Sequence, residues 1–437
     1  MSATGKALYS RARKLIPGGT QLLSKRPEQF LPEQWPCYYD KAKGVEVWDL
    51  DGNKYVDMSL NGVGSSILGF ADPDVNAAVK DVIDLGSMTT LNCPEEVELA
   101  DLLCELHPWA DSVRYARSGG EAMAMAVRIA RAKTRKDKVA FCGYHGWYDW
   151  YLAANLSEEN ALDGHLLSGL NPAGVPRCLT GTSFPFRYNN ISEIEEIAAT
   201  HGNELAAIVM EPIRNQEPDP GFLQQVRDIA TSVGAVLIFD EITSALRLNT
   251  GGAHLLFDVN PDIAVFAKAI SNGYPMSVVI GVDSVMQAAQ ESFISSTNWT
   301  ERIGPTAAIT TIRKHQRLDV SSHLIKIGEQ VMSGWKLAAQ RVGLDIIVGG
   351  IPPLGHFQIV CDDSEVTRTL FTQIMLDKGF LATKSFYATY AHQPKHVENY
   401  LVALQETFKI IAEALNKNNL EELLKGPVAH TGFQRLT

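Results

Sequence analysis

The sequence predicts an α/β fold: a large domain with a mostly parallel sheet flanked by helices, and a smaller α+β domain built from both ends of the chain. Three observations predict it. From about residue 75, short continuous apolar runs alternate with helical patterns, as strands buried on both faces of a parallel sheet do. Before them, residues alternate with period two around a turn. Beyond about 320, helical patterns dominate. The expected boundaries are 1–70 for the N-terminal part of the small domain, 71–315 for the large domain and 316–437 for the C-terminal part of the small domain.

A chain of 437 residues has room for two or three domains. With 45% hydrophobic and 20% charged residues, neither disorder nor a fibrous repeat is expected. The net charge of −11 comes from 39 basic and 50 acidic residues with no basic block, which argues against nucleic acid or an anionic membrane as partner. No apolar run approaches a membrane span, and MSATGKALYSRARK has no apolar signal core. The six cysteines form no CxxC pair and no Cys/His cluster. Neither a metal site nor a disulfide framework is expected, and reduced thiols in a cytoplasm are the simpler reading.

The elements follow in order. The first helix reads GKALYSRARKLI, with Leu8, Ala12, Leu15 and Ile16 on one face and Pro17-Gly18-Gly19 as its stop. In VEVWDLDGNKYVDM (45–58), alternation flanks Asp51-Gly52, which signals a type I′ hairpin with positive φ at the turn. PEEVELADLLCEL (94–106) opens with proline and acids, which suit a helix start. SVRYA (112–116), KVAFC (138–142), LAAIVM (205–210), AVLIF (235–239) and DIAVFA (262–267) read as buried strands, with helices over about 120–133 and after Gly221. The Gly/Pro/Asn-rich stretch 154–185 reads as a long loop. HFQIV (356–360) reads as a strand and 394–426 as a long amphipathic helix.

Parallel α/β sheets bind ligands at the carboxyl ends of their strands. The residues that follow the five apolar runs are Arg117-Ser118-Gly119-Gly120-Glu121, Gly143-Tyr144-His145-Gly146, Glu211-Pro212, Asp240-Glu241 and Lys268. Ser118, Gly119 and Gly120 lead into a helix and suit a phosphate, although a plain strand-to-helix turn reads the same way. Asp240 ends an apolar run and needs a partner. It could hold a protonated ring nitrogen, or form a salt bridge to an arginine such as Arg247. Tyr144 and His145 lie in the aromatic stretch GYHGWYDWY, where a ring can stack on a planar cofactor; Trp147, Trp150 and Tyr151 read as core. Glu211 could hydrogen-bond a cofactor hydroxyl or serve structure. Lys268 leaves a buried strand, where a desolvated amine has a lowered pKa and can form a Schiff base. Together these groups describe pyridoxal 5′-phosphate. There is no GxxxxGK, and no GxGxxG follows a strand, so nucleotide-binding readings weaken.

These segments resemble the class III aminotransferases of the pyridoxal-phosphate fold type I, in particular the branch similar to glutamate-1-semialdehyde 2,1-aminomutase. The resemblance runs from RARKLIPGGT through VEVWDLDGNKYVDM, SGGEAMAMAVRIARAKTRKDKV, GYHG, AAIVMEP, GAVLIFDEITSALR, GGAH and PDIAVFAKAISNGYP to KGFLATKSFYATYAH. It implies that Lys268 holds the cofactor aldehyde as a Schiff base and shuttles a proton. It implies that Asp240 pairs with the pyridine nitrogen between Ile242 and Tyr144, and that Ser118, Gly119 and Gly120 hold the phosphate. Thr297 would reach the phosphate of a second subunit, making a homodimer. Family members often carry threonine in place of Gly120. The branch's substrate arginine after PGG has only Lys25 or Arg26 nearby, its FE pair corresponds to Phe386-Tyr387, and the insert NWTER follows Thr297. These departures argue against a true aminomutase. Arg26, Arg302, Tyr387 and Tyr390 become candidate substrate contacts, with a structural salt bridge as the other reading of Arg302. The expected function is amino transfer between an amino donor and a keto or aldehyde acceptor. A 2,1-aminomutase or racemase is the alternative, and a non-catalytic binding dimer is the reading from another class.

Overall fold

The computed structural model describes residues 3–165 and 168–433. The chain forms two compact units, Pro73–Ser321 and Met1–Asp72 with Ser322–Thr437. Three strands open it: β1 (Tyr39–Lys43), β2 (Glu46–Asp49) and β3 (Lys54–Met58). Seven occupy the middle: β4 (Ser112–Ala116), β5 (Lys138–Cys142), β6 (Ser183–Pro185), β7 (Leu205–Met210), β8 (Val236–Asp240), β9 (Ile263–Phe266) and β10 (Ser277–Gly281). Four close it: β11 (Ile346–Gly349), β12 (Leu354–Ile359), β13 (Phe380–Ala382) and β14 (Ser385–Tyr387).

The middle seven form one sheet in the order β4-β10-β9-β8-β7-β5-β6. β9, β8, β7, β5 and β6 pair in parallel, while β10 is antiparallel to both β9 and β4. β10 alone therefore runs backwards, and every other strand ends on the same edge. The apolar runs are continuous because both faces are covered. Ala207, Val209, Val236 and Ile238 face one core with the helix Gly119–Thr134, whose Met123, Ala126, Val127, Ile129 and Ala130 are buried there. Ile208, Met210, Leu237 and Phe239 face the other, under the helix Phe222–Val233.

Two local expectations for this unit need correction. The stretch 154–185 is not wholly loop, since it contains a helical turn, Ala154–Ser157, and supplies edge strand β6. Its last strand residue is a proline, which a sheet tolerates only where an N–H is not needed, as at an edge. Trp147 is 69% exposed rather than core, while Trp150 and Tyr151 are buried.

The other unit holds a four-stranded sheet, β1-β2-β3-β13, and a three-stranded one, β11-β12-β14. The hairpin between β2 and β3 is antiparallel, but its turn is not type I′. Gly52 has φ +83° while Asp51 stays out of the left-handed region. The Asp49 carboxylate ties the longer loop instead, accepting the N–H groups of Asp51 and Asn53, both at 2.9 Å. The first helix, Ala3–Leu15, buries Tyr9 and Ala12 and leaves Leu8 and Leu15 exposed. The Tyr9 hydroxyl donates to Glu28 at 2.8 Å, a polar anchor that hydropathy does not reveal. The long helix spans Pro394–Lys417, not 394–426, because Asn418 turns left-handed with φ 52° and closes it. Its Phe408 packs with Phe357 and Phe371, and Trp335 Nε1 donates to the Tyr400 hydroxyl at 2.8 Å.

Candidate active site

The unit Pro73–Ser321 gathers polar groups on the sheet edge where β4, β5, β7, β8 and β9 end. Asp240 is the last residue of β8 and 2% exposed. Its Oδ2 lies 2.7 Å from His145 Nδ1, and its Oδ1 accepts the Ile242 N–H at 3.0 Å. His145 is buried, with Nε2 3.0 Å from the Cys142 carbonyl. Both ring nitrogens lie within hydrogen-bond distance of oxygen atoms. His145 therefore backs Asp240, and it is the side chain that answers that carboxylate's need for a partner.

Lys268 follows β9 after one residue and sits at φ 47°, in the left-handed region. A non-glycine residue held there costs roughly 1–3 kcal/mol, and such strain clusters at functional sites. Its Nζ donates to Thr243 Oγ1 at 2.8 Å. Burial pushes the amine's pKa down to about 8 and the charge of Arg214 adds to this, while Glu211 and Asp240 pull the other way. An amine with that value is free base far more often near neutral pH than an ordinary lysine, which makes it a better base and nucleophile.

The turn after β4 brings Ser118, Gly119 and Gly120 to the start of the helix Gly119–Thr134. The Ser118 N–H is accepted by Glu121 at 3.1 Å, and the first helical bond runs from Ala122 to the Ser118 carbonyl. The N–H groups of Gly119 and Gly120 thus precede the first intrahelical donor, Ala122, as at any helix start. A Cβ on Gly119 would lie 2.9 Å from Ile242, and one on Gly120 2.8 Å from Tyr148. A Cβ on Gly146 would come within 3.3 Å of the Gly120 Cα, so the Gly143–Gly146 loop lies directly against this turn. That loop carries Tyr144, which is half-buried and edge-on to Tyr151. This bare-backbone cradle, a buried carboxylate and a low-pKa amine form the donor and acceptor set that pyridoxal phosphate requires.

Glu211, just past β7, meets Arg214 Nη1 with both carboxylate oxygens, at 3.1 and 3.2 Å. Thr297 is exposed at the head of the turn Thr297–Thr300. Arg117 holds that segment, donating to the Trp299 and Glu301 carbonyls at 2.9 Å. Arg302 binds Glu95, with Nη2 to Oε1 at 2.7 Å, which is the salt bridge that was the other reading of this residue. Arg26 and Tyr387 belong to the other unit. There Arg26 lies over the Phe433 ring and the Tyr387 carbonyl accepts from Asn61 at 2.6 Å.

Sequence reading missed three things here. Thr243 gave no signal, being one more small polar residue after the strand. Arg214 would have emerged had the search past LAAIVM gone beyond Glu211-Pro212. Behind Asp240, Glu241 accepts from His254 Nδ1 at 2.7 Å, and Trp109 Nε1 donates to His254 Nε2 at 2.9 Å. Burial raises the Glu241 pKa, but the bonds from His254 and Ser244 outweigh it and keep the carboxyl low.

Residues 31–409 match the family model for aminotransferase class-III. The chain belongs to the class III aminotransferases. It is a pyridoxal-phosphate-dependent transaminase, acting between a small-molecule amino donor and a carbonyl acceptor. The 3-aminobutyryl-CoA aminotransferase of Cloacimonas acidaminovorans (strain Evry) is 29% identical, over 94% of this chain and 98% of that protein. An omega-transaminase from Sphaerobacter thermophilus is 26% identical with a TM-score of 0.83, covering 94% of this chain and 98% of its own. The FumI protein of Sphingopyxis sp. MTA144 superimposes with a TM-score of 0.86 over 95% of this chain and 98% of its own; at 22% identity it speaks for the fold alone. Among the described residues no helix is long and apolar enough to cross a membrane.

Proposed function

We propose that Lys268 is the transaminase's working amine and that the surrounding strand ends serve it. When bound, pyridoxal phosphate supplies an aldehyde that condenses with amines and a protonated ring that withdraws electrons from the amine-bearing carbon. Lys268 Nζ would hold the aldehyde. The same nitrogen, when free, would take a proton from the donor's amine-bearing carbon and return it. Asp240, oriented by His145 and the Ile242 N–H, keeps the proton on the ring nitrogen. Tyr144 and Ile242 would hold the ring, and Ser118 with the N–H groups of Gly119 and Gly120 would hold the phosphate. Thr243 gives the displaced Nζ a resting partner. Glu211 acts through Arg214.

The single observation that carries this reading is the Lys268 amine, held at 2.8 Å by Thr243 with its pKa brought down to about 8. We also infer a homodimer in which Thr297 approaches the partner's phosphate, and a cytoplasmic location, which six unbridged cysteines support. The 29%-identical relative is named for an amine on carbon 3, which supports a donor whose amine lies away from the α position.

Half-reaction spectroscopy tests the function. Adding an α- and β-amine panel to holoenzyme should bleach the cofactor's yellow band, and a keto acid added afterwards should restore it. An intramolecular aminomutase or a racemase would convert substrate without any second compound, and that outcome would refute amino transfer.

A further inference from the structure

Glu211 and Arg214 open onto a cavity of about 340 Å³, within the range of small-ligand pockets. Its wall also includes Gly143, His165, Arg187 and Gln216. We propose that this cavity is the subsite for a substrate carboxylate, and that Arg214 is the residue that binds it. The proposal rests on the transaminase reading and names the chemical class of substrate.

The charge of the wall favours an anion. Two guanidinium groups, Arg187 and Arg214, line it against one carboxylate, Glu211. His165 adds a neutral donor. Its Nδ1 accepts the Gly143 N–H at 3.1 Å, so the ring proton sits on Nε2, and burial pushes its pKa down to about 4. Arg187 is 76% exposed and bound by Glu193, so it contributes mainly long-range charge. Arg214 differs, being only 14% exposed and already inside.

The Glu211–Arg214 pair is held by longer bonds than a tight ion pair. One nitrogen reaches both carboxylate oxygens at 3.1 and 3.2 Å, longer than the ~2.7–2.9 Å of a strong charge-assisted bond. Arg302 and Glu95, in the same unit, do meet at 2.7 Å. Glu211 orients the Arg214 guanidinium, a planar group whose geometry suits carboxylates. Location agrees with this. In the sheet, the ends of β9 and β8, bearing Lys268 and Asp240, lie between the glycine turn after β4 and Arg214 beyond β7. The Gly143–Gly146 loop joins the two regions: Gly143 lines the cavity, where a Cβ on it would lie 3.0 Å from Glu211, and Gly146 lies against Gly120 in the phosphate turn. Arg214 is close enough to shift the Lys268 amine electrostatically.

The test compares alanine and β-alanine with their methyl esters, which keep the amine and lose the negative charge. In holoenzyme half-reactions, Arg214→Gln should raise the KM of whichever free acid reacts by about 10–100-fold. The KM of the ester should be unchanged, and kcat should change less than KM. Arg214→Lys, which keeps charge but not the planar group, should recover part of the loss. Equal loss for acid and ester, or no loss for the acid, overturns the proposal. If no compound bleaches the wild-type cofactor, the transamination reading fails separately, and calorimetric binding of propanoate decides the subsite. Binding about tenfold weaker in Arg214→Gln supports it, and equal binding overturns it.

Discussion

The two units bury charge in different ways. In Pro73–Ser321, Asp240, Glu211, Arg214 and Lys268 converge on one sheet edge, and each answers to another side chain. In the other unit, Asp57 is buried against its own chain, accepting the Ser59 N–H at 2.9 Å and the Ser59 hydroxyl at 2.8 Å, and burial raises its pKa. His392 Nδ1 accepts the Thr389 N–H at 3.0 Å while Nε2 donates to the Asp57 carbonyl at 2.9 Å. Burial drives that imidazole down to about 3, so it stays neutral. Polar groups satisfied by neighbouring backbone fix a conformation. Polar groups satisfied by one another at strand ends can exchange partners and protons, and that difference marks the site.

The sharpest way to break this contrast is to compare losses of function with losses of stability. Lys268→Ala should lower turnover by at least ~10²–10⁴-fold while the thermal midpoint stays near that of the wild type. Near-normal kcat would sink the role given to Lys268. Phe371→Ala, in the aromatic cluster with Phe357 and Phe408, should do the reverse. About 3–5 kcal/mol of stability should be lost in urea unfolding, with kcat per folded molecule unchanged. Asp240→Asn keeps the shape and removes the charge, and should lower turnover by about 10²-fold. A loss of stability without loss of turnover would move Asp240 into the structural class.

The smallest expected effect sharpens the comparison through pH. Apoenzyme should condense with pyridoxal phosphate at a rate that rises as Lys268 loses its proton, with its midpoint at about pH 8. Arg214→Gln removes a positive neighbour that depresses this value, so the midpoint should move to higher pH. A wild-type midpoint near the ~10.4 of an unperturbed lysine would show the amine to be solvated.

Much of the sheet was legible because a strand covered on both faces must be apolar at every position, and five such runs stand out. β10 escaped, since SVVIG reads the same in either direction and apolar periodicity carries no sign. The hairpin at Asp51-Gly52 was legible as a reversal, but its turn type depended on the Asp49 side chain. Leu8 and Leu15 misled because hydropathy does not record the hydrogen bond that anchors Tyr9.

By itself the sequence determined which residues end the strands, because the change from apolar run to polar residue is a local fact. It therefore marked Lys268, Asp240, Glu211 and the serine–glycine turn as members of one edge. Only the tertiary structure decided how they pair. His145 answers Asp240 across 95 positions, Thr243 receives the Lys268 amine, and Arg302 is taken by Glu95 across 207. Such pairings depend on strand order and loop path, which bring together groups that no local pattern connects.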